Sequence, residues 1–152
     1  MTNINDKIVN FELDTDLGKF SSKDYIGKNL VIFFFPKADT SGCTKEAVSF
    51  SNLINEFEDL NTFVIGISKD SIERQMKFKS KYDIKCILGS DVDIKICSKF
   101  GVWVEKSMYG KKYMGIQRTT FLINTEGKIQ HIWNKVKVQG HAEEVLETVK
   151  KL

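Results

Sequence analysis

The amino-acid sequence predicts an α/β domain in which a central mixed β-sheet is covered by helices on both faces. Three observations predict it: a fully apolar strand-like run, apolar spacing that alternates between helical periodicity and short β-branched runs, and a turn sequence that sets up a hairpin before a last amphipathic segment.

The elements follow in order. Residues 29–35 (NLVIFFF) form a continuous run rich in Val, Ile and Phe and ended by Pro36, the pattern of a strand buried on both faces and therefore central. After the polar, glycine-containing stretch 37–42, apolar residues recur at Ala47, Phe50, Leu53, Ile54, Phe57 and Leu60, which predicts a single helix starting near Cys43 and running on to Leu60. Residues 62–67 (TFVIGI) read as a second buried strand, 68–70 as turn and cap, and 71–82 as a helix. A short strand is expected at 85–88. A helix is expected over 91–100, with Ile94, Cys97 and Phe100 on one face and Gly101 ending it. Residues 118–124 (RTTFLIN) and 128–133 (KIQHIW) flank Thr125, Glu126 and Gly127, which predicts an antiparallel hairpin. The last helix, 141–152, follows Gly140 and buries Val145, Leu146 and Val149. No composition shift marks a boundary, so 1–152 is read as one domain.

Composition narrows the function classes. The 152 residues are 41% hydrophobic and 28% charged, enough for one compact core without a disulfide or metal staple. The longest apolar run, 30–35, is far shorter than the roughly 20 residues of a membrane span. The first ten residues lack the basic start and apolar stretch of a secretory signal, so a cytoplasmic location is expected. Cysteines stand at 43, 86 and 97 without a C-x-x-C pair, and the two histidines, His131 and His141, form no evident dyad with Cys43; neither a disulfide framework nor a closed zinc site is expected, and no cofactor is implied. A net charge of +3, from 23 basic and 20 acidic residues, speaks to solubility and against nucleic acid as a partner. Trp103, Lys106, Tyr109, Lys111, Lys112 and Tyr113 interleave aromatic and basic groups, as a single-strand nucleic-acid surface would. Glu105 interrupts them, and they are read as a solvated loop bordering the mouth of the site. No glycine-rich phosphate loop is present.

The segment that carries chemistry is Pro36-Lys37-Ala38-Asp39-Thr40-Ser41-Gly42-Cys43, which puts a cysteine in the first helical turn after a buried strand. Unpaired N–H groups and the positive end of the helix dipole there favour thiolate over thiol, which makes Cys43 a candidate nucleophile. Thr40 is placed to direct its hydroxyl toward the sulfur or a bound oxygen, and Pro36 adds a rigid apolar wall with no competing N–H. Alone, such a cysteine is more often a small buried hydrophobe, and such a threonine more often a cap. The agreement of several residue types at fixed offsets favours chemistry.

The pattern P-x-x-x-T-x-x-C resembles the active-site motif of peroxiredoxins, and FFPKADTSGCTKEA resembles the bacterioferritin-comigratory-protein or peroxiredoxin Q branch. GISKD at 66–70, LGSD at 88–91, the string at 97–124, GKI at 127–129 and HAEEVL at 141–146 resemble that branch in the expected order, over essentially the whole chain. The resemblance implies a thioredoxin-like fold and thiol-dependent reduction of hydrogen peroxide and organic hydroperoxides, without metal or haem. It implies Cys43 as peroxidatic cysteine, Thr40 as its hydroxyl partner, Pro36 as the shielding proline and Arg118 as the cation near the thiolate. It also implies a reducing thiol partner such as thioredoxin, glutaredoxin or a small thiol, and a monomer, with neither nucleic acid nor membrane as partner.

The chain departs from that branch in two places. Val48 stands where many relatives carry a resolving cysteine, so an external thiol is ranked first for the reductive step, Cys86 second and Cys97 third, both cysteines being read as core thiols. Ser41 replaces a usual second proline, with a modest effect on the loop. Glu46, in the first turn, is read as a carboxylate that suits the helix dipole. A thioredoxin-type reductase is disfavoured because Glu46 occupies the second cysteine position of C-x-x-C, and a cysteine phosphatase because Ser49 stands where its arginine belongs. A redox sensor or holdase, oxidised at Cys43 without efficient turnover, is the alternative from another class.

Overall fold

A computed structural model describes residues 3–152, and the apolar run becomes its central strand, β3 (Asn29–Phe34). An earlier hairpin, β1 (Glu12–Thr15) and β2 (Gly18–Ser21), lies in a stretch to which the sequence reading assigned no element. β3 pairs in parallel with β4 (Thr62–Ser68), and β4 in parallel with β5 (Ile87–Ser90), onto whose free edge β1 docks antiparallel. On its other side β3 pairs antiparallel with β8 (Thr119–Ile123), which forms the expected hairpin with β9 (Ile129–Trp133). The sheet order is β2-β1-β5-β4-β3-β8-β9, a mixed sheet as predicted.

Strand alternation divides the core in two. Val31, Phe33 and Phe35 face one side, where α1 (Ser41–Asn52), α2 (Ile54–Asp59), α3 (Ile72–Tyr82) and α5 (His141–Lys150) contribute Ala47, Phe50, Phe57, Phe78, Val145 and Leu146. Leu30, Ile32 and Phe34 face the other, packed with Phe11, Phe20, Ile96 and Cys97, the last two from the short helix α4 (Lys95–Lys99). The Phe33 ring stacks on Phe50 with centroids 4.7 Å apart, which seats α1 on the sheet. A Cβ on Gly66 of the neighbouring strand would come within 2.5 Å of that ring, so glycine at this position leaves room for the phenyl group that holds the helix.

Four sequence expectations are corrected. The helix expected from Cys43 to Leu60 is broken at Leu53, where φ −104° and ψ 6° and an N–H bond to the Phe50 carbonyl at 3.1 Å tighten the chain before α2 resumes. The strand expected at 85–88 is displaced to Ile87–Ser90, because Lys85 donates its N–H to the Ser51 hydroxyl at 2.7 Å and pairing with β4 begins only at Ile87. Only Lys95–Lys99 of 91–100 is helical: Ile94 is left-handed (φ 55°), and the Asp91 carboxylate accepts the N–H groups of Ile96 and Cys97 at 3.2 and 2.7 Å, capping a late start. The supposed loop at 103–113 is a two-stranded antiparallel ribbon, β6 (Trp103–Met108) and β7 (Lys111–Ile116), lying outside the main sheet. Tyr109 and Gly110, both at positive φ, make the tight turn that the sequence reading did not recognise. Among the described residues no helix is long and apolar enough to cross a membrane.

Candidate active site

The loop between β3 and α1 is held from both sides. Phe35 donates its N–H to the Ile67 carbonyl at 3.0 Å, and Ala38 donates its own to the buried Asp70 carboxylate at 2.7 Å, which also accepts the Ser68 hydroxyl. Asp39 takes a left-handed φ of 62° and accepts the Tyr82 hydroxyl and the Lys81 ammonium, which together hold its carboxyl below the ordinary range. Pro36 is half-buried between these anchors.

This brings the chain to Thr40 in extended conformation (φ −92°, ψ 158°), the cap position of α1. Its carbonyl accepts the Thr44 N–H at 2.9 Å. Its hydroxyl donates to the Lys37 carbonyl at 2.9 Å, so in this structure the hydroxyl hydrogen points to the loop and not to the sulfur. The N–H groups of Ser41, Gly42 and Cys43 precede the first intrahelical bond and have no acceptor within the helix.

Cys43, the third residue of α1, is 1% exposed. Arg118, immediately before β8, donates from Nη2 to its Sγ at 3.3 Å and from Nη1 to Glu46 Oε1 at 2.7 Å. The guanidinium thus bridges the first residue of the pair to the second across one turn of α1. A Cβ on Gly42 would sit 3.2 Å from Arg118 Nη2, so glycine lets the cation approach the helix start. Gly42→Ala is expected to push the guanidinium off the sulfur and to slow thiol alkylation of Cys43 by iodoacetamide several-fold, with unfolding temperature little changed; alkylation at the wild-type rate refutes this.

Glu46 is the residue whose role the sequence reading missed. It lies not in the first turn but in the second, where no dipole role is needed to account for it: it is 1% exposed beneath Arg118, with Oε2 lacking a partner. Burial pushes its carboxyl up to about 7, with Arg118 pulling in the opposite direction. Burial likewise works against the Arg118 charge, but Glu46 and Cys43 outweigh it and the guanidinium is held more firmly protonated than usual. The signal was present: Cys43, Glu46, Ala47 and Phe50 share one helical face, and a glutamate on that face is buried with its charge.

Neither of the other cysteines is bonded to Cys43, and all three are free thiols. Cys86 is fully buried on the same side of the sheet, its Sγ 4.0 Å from the Ala47 carbonyl, and burial pushes its thiol up to about 12. Cys97 lies in the core on the opposite side of the sheet, its thiol also raised by burial and by Asp91. Val48 is half-buried on α1. His141 is buried against Thr120, with 2.8 Å between Nε2 and Oγ1, and burial drives its pKa down to about 4. His131 is exposed and packs on Trp133. Neither histidine bonds to Cys43, and among the described residues no three His, Cys, Asp or Glu side chains converge to hold a metal ion.

An arrangement of this kind can stabilise a sulfur anion and, beside it, an oxygen on which negative charge develops. Comparison with known proteins places it in context. Residues 4–132 match the AhpC/TSA family. The chain is 43% identical over 148 residues to peroxiredoxin Bcp of Bacillus subtilis, covering 97% of this chain and 94% of that protein. A cysteine-to-serine mutant of Xylella fastidiosa PrxQ superposes with a TM-score of 0.95 at 37% identity, covering 99% and 97% of the two chains. The bacterioferritin comigratory protein of Xanthomonas campestris, described in terms of alkyl peroxide reduction, superposes with a TM-score of 0.88 at 39% identity, covering 93% and 90%.

Proposed function

The chain belongs to the AhpC/TSA family, among the Bcp and peroxiredoxin Q proteins, and from that premise we propose that it is a thiol-dependent peroxidase acting through the Cys43 sulfur on hydrogen peroxide and organic hydroperoxides. The observation that carries the reading is the Arg118 Nη2 to Cys43 Sγ contact at 3.3 Å over the N-terminus of α1.

The thiolate attacks the terminal oxygen of the hydroperoxide. An S–O bond forms, the O–O bond breaks, and the departing alkoxide or hydroxide takes a proton to leave as alcohol or water, with sulfenic acid on Cys43. Negative charge moves from sulfur to the leaving oxygen, for which Arg118 and the N–H groups of Gly42 and Cys43 in the first turn of α1 are the donors at hand. Donors already in place stabilise that charge without reorganisation. Because the Thr40 hydrogen is committed to the Lys37 carbonyl, its oxygen offers a lone pair to the peroxide O–H and orients it. Pro36 walls the loop.

The sulfenic acid is then reduced by an external thiol, of thioredoxin, glutaredoxin or small-molecule type. Val48 supplies no sulfur, Cys97 is across the sheet, and Cys86 is buried and un-ionised at neutral pH. Residues 1–152 act as one unit, since α5, beyond the family match, packs Val145, Leu146 and Val149 into the same core as α1.

Intact-protein mass spectrometry with a sulfenic-acid trap, after one equivalent of hydrogen peroxide, tests this on the wild type and on Cys86→Ser and Cys97→Ser. A trapped adduct on Cys43 in all three is expected. No adduct on Cys43 would refute the peroxidase reading, and a two-hydrogen mass loss that vanishes in one variant would assign that variant's cysteine as the resolving thiol. Sustained peroxide consumption with added thiol separates an enzyme from a sensor.

A further inference from the structure

The β6–β7 ribbon runs directly into Arg118, and one of its faces carries Val104, Lys106 and Met108 opposite Gly115, Tyr113 and Lys111. Lys106 is the half-buried member of this face with a charge. Its stem lies flat on Gly115, where a Cβ would meet its Cδ at 3.3 Å and its Cε at 3.5 Å. That places the ammonium within electrostatic reach of both Arg118 and Cys43.

Lys106 differs from the other cation of the site in having no acid of its own. Arg118 is matched by Glu46, whereas Glu105 points to the opposite face of the ribbon and lies 4.0 Å from Lys112. Among the described residues no carboxylate lies within ion-pair distance of Lys106. Burial and the Arg118 charge both work against its protonated form, and Cys43 works in its favour.

The charge balance changes during the proposed cycle. While Cys43 is a thiolate, Arg118 contacts both the sulfur and Glu46, and the sulfur's charge favours that of Lys106. When the sulfur becomes a neutral sulfenic acid, one negative charge is lost and Lys106 is left without the anion that favoured its charge. The next reactant is itself an anion, since a thiolate and not a thiol attacks the sulfenic sulfur.

We propose that Lys106 is a specificity-determining residue for the reductive half of the cycle, favouring small thiols that carry carboxylates over neutral or cationic ones. The inference rests on the peroxidase reading of Cys43. In the step concerned, the incoming thiolate forms an S–S bond to Cys43 Sγ, the S–O bond breaks, and hydroxide leaves and is protonated to water. A second thiolate then attacks the sulfur of the first reductant, releasing a small-molecule disulfide and the Cys43 thiolate; the two thiols supply the two electrons.

The test oxidises the protein with one equivalent of hydrogen peroxide and follows loss of trappable sulfenic acid by rapid quench and mass spectrometry. The thiols are mercaptosuccinate, 2-mercaptoethanol and cysteamine, with rates expressed per thiolate. At low salt the ratio of the mercaptosuccinate rate to the 2-mercaptoethanol rate is expected to fall about tenfold in Lys106→Gln, to be largely retained in Lys106→Arg, and to decline with added salt in the wild type. An unchanged ratio in Lys106→Gln, or equal loss in both variants, overturns the inference alone. Failure of the wild type to form sulfenic acid on Cys43 overturns the underlying reading, and the inference with it.

Discussion

Cys43→Ser is expected to reduce peroxide consumption in the presence of a reducing thiol to the uncatalysed level. A serine hydroxyl is not ionised near neutral pH even beside a guanidinium and a helix N-terminus, and its oxygen does not accept an oxygen atom from a peroxide as sulfur does. The substitution keeps the side chain's shape in a site that is 1% exposed, so the cost to stability is about 1 kcal/mol. Peroxide assay and thermal unfolding together check the prediction, and a folded variant that still turns over peroxide would exclude Cys43 as the reacting group.

Arg118→Met is expected to slow the peroxide step by about 10²–10³, the usual cost of removing one preorganised donor to a developing oxyanion. Cys43 would keep its place on α1, so the loss would appear in the rate and not in whether sulfenic acid forms at all. The variant has a second expected property, which follows from Glu46. Its carboxyl is already raised to about 7 with Arg118 in place, and without the cation it rises further. A folded value above the unfolded one means that the protonated group's contribution is present at low pH and lost as pH rises through the folded value. Arg118→Met is therefore expected to be near wild-type stability at pH 5 and to lose unfolding temperature progressively above neutrality, as a buried carboxylate is forced to ionise without a partner. Arg118→Met with Glu46→Gln is expected to recover stability at high pH without recovering the peroxide rate. Recovery of the rate in the double variant would show that Glu46, and not the missing cation, limits the single one.

Much of the fold was legible in local patterns. β3, β4 and α3 follow from apolar runs and helical spacing, and β8 and β9 from the turn between them, because each is decided by residues close in the chain. The N-terminal hairpin was not legible: its strands are four residues each and one is stabilised by docking on β5, a contact between segments more than 70 residues apart, as in the Leu88 N–H bond to the Asp16 carboxylate across 72. The β6–β7 ribbon was misread because its residues are mostly exposed, so the burial alternation that marks a strand is faint.

The candidate site divides in the same way. By itself the sequence singled out the candidate nucleophile and its setting: a cysteine in the first helical turn after a buried strand, at a spacing from Pro36 and Thr40 that resembles a known motif. The resemblance already named Arg118 as the cation near the sulfur; only the tertiary structure decided how it is held there and what else lies around it. Arg118 reaches Cys43 from 75 residues away, Glu46 sits beneath it, and Lys106 arrives on a separate ribbon. It also decided which cysteines share a face of the sheet, placing Cys86 with Cys43 and Cys97 behind the strands. The physical reason is that helix starts and strand periods are written in neighbouring residues, whereas charge pairing and sheet sidedness depend on how distant segments pack.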